Sequence, residues 1–149
     1  RAARDELAER WGVAAELWSV TSWKKLRDEA ISAERHGRLH PEQGDGRPLV
    51  ARHLDGGAGP VVAVTDYQRS VPDQVARWVH REWVSLGTDG YGRSDTREAL
   101  RRFFETDAAH VVVATLAGLQ RAGAVEPALV TQALEHHGLD PDLPDPWRS

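Results

Sequence analysis

The residues from position 87 to position 95, Gly-Thr-Asp-Gly-Tyr-Gly-Arg-Ser-Asp, hold the densest set of groups in this chain that could do chemistry. Glycines permit unusual backbone angles and close approach, Arg93 carries a fixed positive charge, and a helix starting after Ser94 would offer free amides to an anion. The spacing does not match a phosphate loop, because no further glycine stands at position 95 and no Lys-Ser/Thr pair follows. Asp89 and Asp95 also put negative charge where a phosphate would lie. The segment therefore reads first as a structural turn held by its own Asp and Ser hydrogen bonds. The second reading is a loop facing a ligand, a partner or a channel, lined by Thr88, Asp89, Tyr91, Arg93, Ser94 and Asp95.

Other constellations carry less. His36 and His40 have the i, i+4 spacing of two imidazoles that share a metal on one helical face. Gly37 and Pro41 argue against a continuous helix there, and no third ligand is identifiable, so these are expected to be surface histidines, with His40 kept as a minor candidate. His136 and His137 are adjacent, point in different directions on a helix and are expected in solvent. Ser94 has Gly92 before it but Thr96 after it, so the Gly-x-Ser-x-Gly elbow of a nucleophilic serine fails. Trp11, Trp18 and Trp23 lie at element ends or on apolar faces, where large rings fill core or interface. No catalytic, cofactor-binding or metal-binding residue is assigned.

These groups must be positioned by a domain of ordinary size, since 149 residues with 40% hydrophobic content can bury one core. No apolar run approaches the roughly 20 residues of a membrane span, and the first residues lack the apolar stretch of a secretory signal. Cysteine is absent, which excludes disulfides, zinc-thiolate sites and thiol nucleophiles and fits a cytoplasmic setting. A net charge of -4 gives no clustered positive field for nucleic acid. Methionine is absent even from position 1, so the chain is expected to be a fragment, a processed product or a trimmed piece of a longer protein.

The spacing predicts a helix ending at Trp11 with Gly12 as its left-handed cap, and a strand over 15–21. A helix capped by Ser22 follows, with Trp23, Leu26, Ala30 and Ala33 on one stripe and Gly37 as its end. A long Gly/Pro/Asp/Gln-rich connection carries a helical turn or two near Pro48 to Leu54. Val61 to Thr65 reads as a buried parallel strand. A helix follows it, entered at Ser70 and Pro72 and striped by Val71, Val75 and Val79, and 83–87 reads as a third strand. Ser94 is expected to cap a helix from Asp95 to Glu105. Asp107 caps the next helix, and Pro127 opens a last one that stops at Gly138. Residues 1–139 form the domain, and 140–149 a Pro-rich, extended tail. Strands separated by helical stripes give an α/β class, a sandwich with a mostly parallel sheet. Three strands are few for it, so a further strand upstream of Arg1 is expected.

Five blocks add a resemblance. They are Gly12 to Trp23; Glu34-Arg35 with Leu39-His40-Pro41; Gly59 to Tyr67; Gly87 to Arg97; and Phe104-Glu105 with Asp107-Ala108. In order, from about Gly12 to Leu139, the chain resembles the C-terminal region of homodimeric, thiamine-diphosphate-dependent pyruvate dehydrogenase. Two departures stand out: His36-Gly37 occupies the place of the family's Trp-Asn, and Gln68 that of its methionine.

The resemblance implies a three-layer α/β/α domain like the C-terminal domain of transketolase, with a strand preceding the first helix. It implies an enzyme that decarboxylates pyruvate, at the exit of glycolysis, on thiamine diphosphate with magnesium. That enzyme reductively acetylates the lipoyl group of a dihydrolipoyl acetyltransferase. The cofactor would lie between the preceding domains, and this chain would hold none of it while supporting the dimer and flanking the approach to the active site. A divergent paralogue for another 2-oxo acid and a standalone interaction or regulatory module remain open.

Overall fold

The structure, a computed structural model, describes residues 1–148. Helix α1 (Ala2–Trp11) ends on Gly12, which takes φ 65°, the left-handed geometry that only glycine adopts without strain. Helix α2 (Trp23–Leu39) starts on Ser22, whose hydroxyl accepts the Lys25 amide at 3.2 Å. Short helix α3 (Leu49–Leu54) precedes strand β1 (Val61–Val64). Helix α4 (Ser70–Ala76) crosses over to strand β2 (Trp83–Leu86). Helices α5 (Arg97–Phe103), α6 (Ala108–Arg121) and α7 (Pro127–His137) complete the fold, with Asp107 capping α6 and left-handed Gly138 ending α7.

The two strands pair in parallel, with Val61 opposite Trp83 and Val64 opposite Leu86. Successive strand residues point to opposite faces, and each face is covered by helices. On one side Val61 and Trp83 cluster with Trp23 and Leu26 of α2, Val50 of α3, Val75 of α4 and Val79 just beyond α4. On the other side α6 lies on the sheet, and α1 and α7 pack behind it through Ala3, Leu7, Val112, Leu116 and Ala133. Gly118 lets α6 come close: a Cβ there would stand 2.7 Å from Pro60 at the start of β1. The result is the expected α/β class, helices on both faces of a parallel sheet. No described helix is long and apolar enough to cross a membrane.

Four expectations are corrected. Residues 15–21 are not a strand. Their alternation is there, but a strand exists only through its partners, and no strand among the described residues pairs with them; Leu17, Trp18 and Val20 stand 56%, 51% and 37% exposed. Gly37 does not end α2, which runs on to Leu39. Its missing side chain serves a close approach instead, since a Cβ would lie 2.7 Å from the Gly46 Cα. Ser94 does not cap α5; Thr96 does, accepting the Ala99 amide at 3.2 Å. The tail is not wholly extended, for Pro146–Arg148 form a turn of 3-10 helix; Ser149 lies outside the described residues.

Candidate functional site

The loops that follow β1 and β2 meet at the carboxyl ends of the strands, the position at which α/β folds place ligands. Gly87 is the hinge of this meeting. A Cβ there would stand 2.6 Å from the Tyr67 carbonyl oxygen and 2.9 Å from the Arg69 nitrogen, so the loop after β2 lies flush against the loop after β1. The Thr88 amide donates to the Tyr67 carbonyl at 2.9 Å, and its hydroxyl donates to the Asp66 carbonyl at 3.0 Å. Asp89 accepts the Arg69 amide at 3.2 Å through one oxygen and the Arg69 guanidinium through the other. The same guanidinium lies over the Trp147 ring, 4.7 Å from its centre, and the Gly90 backbone seats against Trp147.

The structural-turn reading of this segment therefore describes its first half. Thr88 and Asp89 are spent on holding two loops together. The rest faces outward: Tyr91 is 84% exposed, Arg93 stacks its guanidinium 4.3 Å from the centre of the Phe103 ring, and Asp95 accepts the Thr96 amide at 2.7 Å. Ser94 is exposed. The hollow beside Asp89 and Trp147 measures about 20 Å³, room for one water and no substrate. Arg69 and Trp147, which complete this arrangement, carry no sequence signal, since nothing in either local pattern announces a contact between them.

A larger concavity lies beside β1. A groove of about 490 Å³ runs between α1 with residues 15–17 on one wall and β1 with α6 on the other. Leu7, Ala15, Leu17, Val62, Val64 and Val111 make its apolar length, and Thr65, Asp66, Arg101 and Thr106 its polar end. The Val61 amide donates to the Glu82 carbonyl just before β2 and the Thr65 amide to that of Leu86, so the amides of Val62 and Val64 turn to the other edge of β1, which has no further strand among the described residues.

The histidines divide. His36 and His40 stack with ring centres 4.7 Å apart, and the His40 Nδ1 lies 3.8 Å from the Glu42 carboxylate. Both are exposed, as expected, and no group of three donors forms around them among the described residues. His136 is exposed, but the expectation of solvent fails for His137, whose side chain is only 13% exposed and whose Nε2 lies 2.8 Å from Glu6 Oε1 of α1. Adjacent residues diverge on a helix, and here the divergence turns one of them inward.

The diphosphate and magnesium of a thiamine cofactor find no fit at the strand ends. Asp89 is engaged by Arg69, Asp66 lies 3.8 Å from Arg101, and Asp95 is turned to the start of α5. No described carboxylates converge there on a common point.

Residues 1–107 match the family model described as the transketolase-like TK C-terminal domain. The chain is 49% identical over 138 residues, 93% of its length, to the pyruvate dehydrogenase E1 component of Mycolicibacterium smegmatis. It is 44% identical over 138 residues, again 93% of its length, to that of Mycobacterium tuberculosis, and 38% identical over 147 residues, 98% of its length, to that of Escherichia coli K12. It spans 15% of the length of the first two relatives and 16% of the third.

Proposed function

Because the chain belongs to the transketolase-like C-terminal domain family, we propose that it serves as the noncatalytic C-terminal domain of a pyruvate dehydrogenase E1 component. The whole enzyme decarboxylates pyruvate on thiamine diphosphate with magnesium and acetylates the lipoyl group of a dihydrolipoyl acetyltransferase. This domain supplies a dimer-supporting surface and a wall of the approach to the active site, contributes no cofactor ligand, and acts in the cytoplasm.

The observation that carries the reading is the open edge of β1. The amides of Val62 and Val64 on that edge, the apolar groove that these residues line and the exposed run Leu17 to Val20 are the three parts of a seat for one more strand. The occupant is an extended segment of the same polypeptide that leads into Arg1, because Arg1 and Ala2 lie in the lining of the groove. Once it is seated, 15–21 pairs on its far side and the sheet grows from two strands to four.

Two measurements test the reading. Titration of the chain with thiamine diphosphate and magnesium in a calorimeter is expected to give no stoichiometric binding; tight 1:1 binding overturns it. Second, the M. smegmatis E1 component truncated before the region that this chain matches is mixed with this chain carrying its own upstream residues. Pyruvate-dependent acetylation of lipoyl acceptor is expected to return. Absence of activity with both pieces folded favours a standalone module.

A further inference from the structure

Away from the strand ends, α1 and the last turn of α7 bring Glu6, His136 and His137 together. One donor atom from each lies within 4.8 Å of the other two. The Nε2 atom of His137 is shut off from solvent and finds no aligned hydrogen-bond partner, although Glu6 Oε1 stands 2.8 Å away. Buried polar atoms are almost always satisfied, and a ring nitrogen that makes no aligned hydrogen bond beside a carboxylate oxygen would be satisfied by a metal ion bound to both groups. The surroundings hold the donors in place. The Trp11 indole N–H donates to Glu6 Oε1 at 3.2 Å, and the Trp11 ring stands edge-on to His136, with centres 6.0 Å apart. Both histidines precede Gly138 at the carboxyl end of α7, where the helix dipole favours positive charge.

We propose that Glu6, His136 and His137 form a divalent transition-metal site that takes Zn²⁺, with solvent as the fourth ligand. Two imidazoles and one carboxylate are a donor set that zinc accepts, at roughly 2.0–2.1 Å per bond. Mg²⁺ and Ca²⁺, which want oxygen donors, are rejected. Bonds of that length at tetrahedral angles set the donor atoms about 3.3 Å from one another. Exposed His136 has the freedom to draw in, and Glu6 Oε1 and His137 Nε2 part by about 0.5 Å from their 2.8 Å. Occupied, the site clamps α1 to α7 across the core they share with α6.

The test is titration of the untagged, chelator-treated chain with ZnCl₂ by calorimetry, with thermal unfolding in parallel and Co²⁺ as a spectroscopic probe. One zinc per chain, a higher melting temperature with zinc than without, the visible bands of tetrahedral Co²⁺ and no response to MgCl₂ are expected. Glu6→Gln and His136→Gln should each weaken zinc binding at least about tenfold, the scale of losing one ligand or its support. His136 is exposed, so His136→Gln retains the fold by circular dichroism and keeps the test meaningful if changes at buried His137 do not. Absence of stoichiometric binding overturns the proposal. So does binding that survives both substitutions, and so does binding lost instead in His36→Gln with His40→Gln, which would assign the metal to that stacked pair.

Discussion

Arg69 meets Asp89 twice, offering its backbone amide to one carboxylate oxygen and its guanidinium to the other, so that the loops after the two strands close as one unit. Both side chains are partly withdrawn from water, at 39% and 24% exposure, and the pair bridges two elements rather than decorating one. Asp89→Ala is expected to cost about 1.5–3 kcal/mol, the range for hydrogen bonds to a charged group. That is a melting point lower by about 2–4 °C for each kcal/mol in a chain of this size. Asp89→Asn, which still accepts the amide, should lose less. Wild-type melting in Asp89→Ala would contradict the bridge.

Two glycines of the same segment should respond unequally. Gly87→Ala drives a Cβ into the Tyr67 carbonyl and the Arg69 nitrogen, both backbone atoms that cannot swing aside. A loss of about 1–3 kcal/mol in chemical denaturation is expected, as for overpacking. Gly92 has open space around it and no left-handed φ, so Gly92→Ala should stay within about 0.5 kcal/mol of wild type. Equal losses at both sites would refute the close approach at Gly87.

Asp107 accepts the His110 amide at 3.0 Å, lies 2.7 Å from the His110 ring nitrogen and forms an ion pair with the Arg102 guanidinium at 2.9 Å. Asp107→Ala removes the cap of α6, the helix that covers the sheet, and should cost about 1–2 kcal/mol. Asp107→Ser, which keeps an acceptor for the amide, should recover part of that in the same urea titration. No recovery would mean that the loss lies in the ion pair rather than in the cap.

Asp55 predicts an acid limb. Its carboxylate accepts the Arg47 guanidinium at 2.8 Å and the His80 amide at 3.0 Å, and these bonds, the first above all, hold its pKa below the usual aspartate value of 3.8. A carboxyl group depressed in the folded state contributes stability above its unfolded value and loses it as pH falls through the folded one. Wild type should therefore exceed Asp55→Asn in urea denaturation near neutrality. The gap should narrow as the pH drops through 3.8 and lower; a gap independent of pH would remove Asp55 from the acid response.

Most of the helices were legible because their ends carry local chemistry. Ser22, Asp107, Gly12 and Gly138 cap or terminate as their residue types dictate. Both observed strands announced themselves as short apolar runs. What failed was long-range: 15–21 reads as a strand but needs a partner, and Gly37 reads as a helix end but answers to the Gly46 backbone. Ser94 and Thr96 are both good caps, and only the path of the chain selects the second. At the candidate site, the type and place of the glycine segment were visible, while Arg69, Trp147 and the pairing of Glu6 with His137 were not. Those contacts join residues from distant parts of the chain, and no local pattern encodes them.

The Trp147 ring beneath Arg69 also sets an order of events. The two residues stand about eighty positions apart, and closing so long a loop costs entropy before any contact repays it. The helices can form from neighbouring residues, but the junction at the strand ends waits for nearly the last described residue to arrive. In refolding, the part of the tryptophan fluorescence that Trp147→Phe removes should settle after the helical signal, making the tail the clock by which completion of the domain is read.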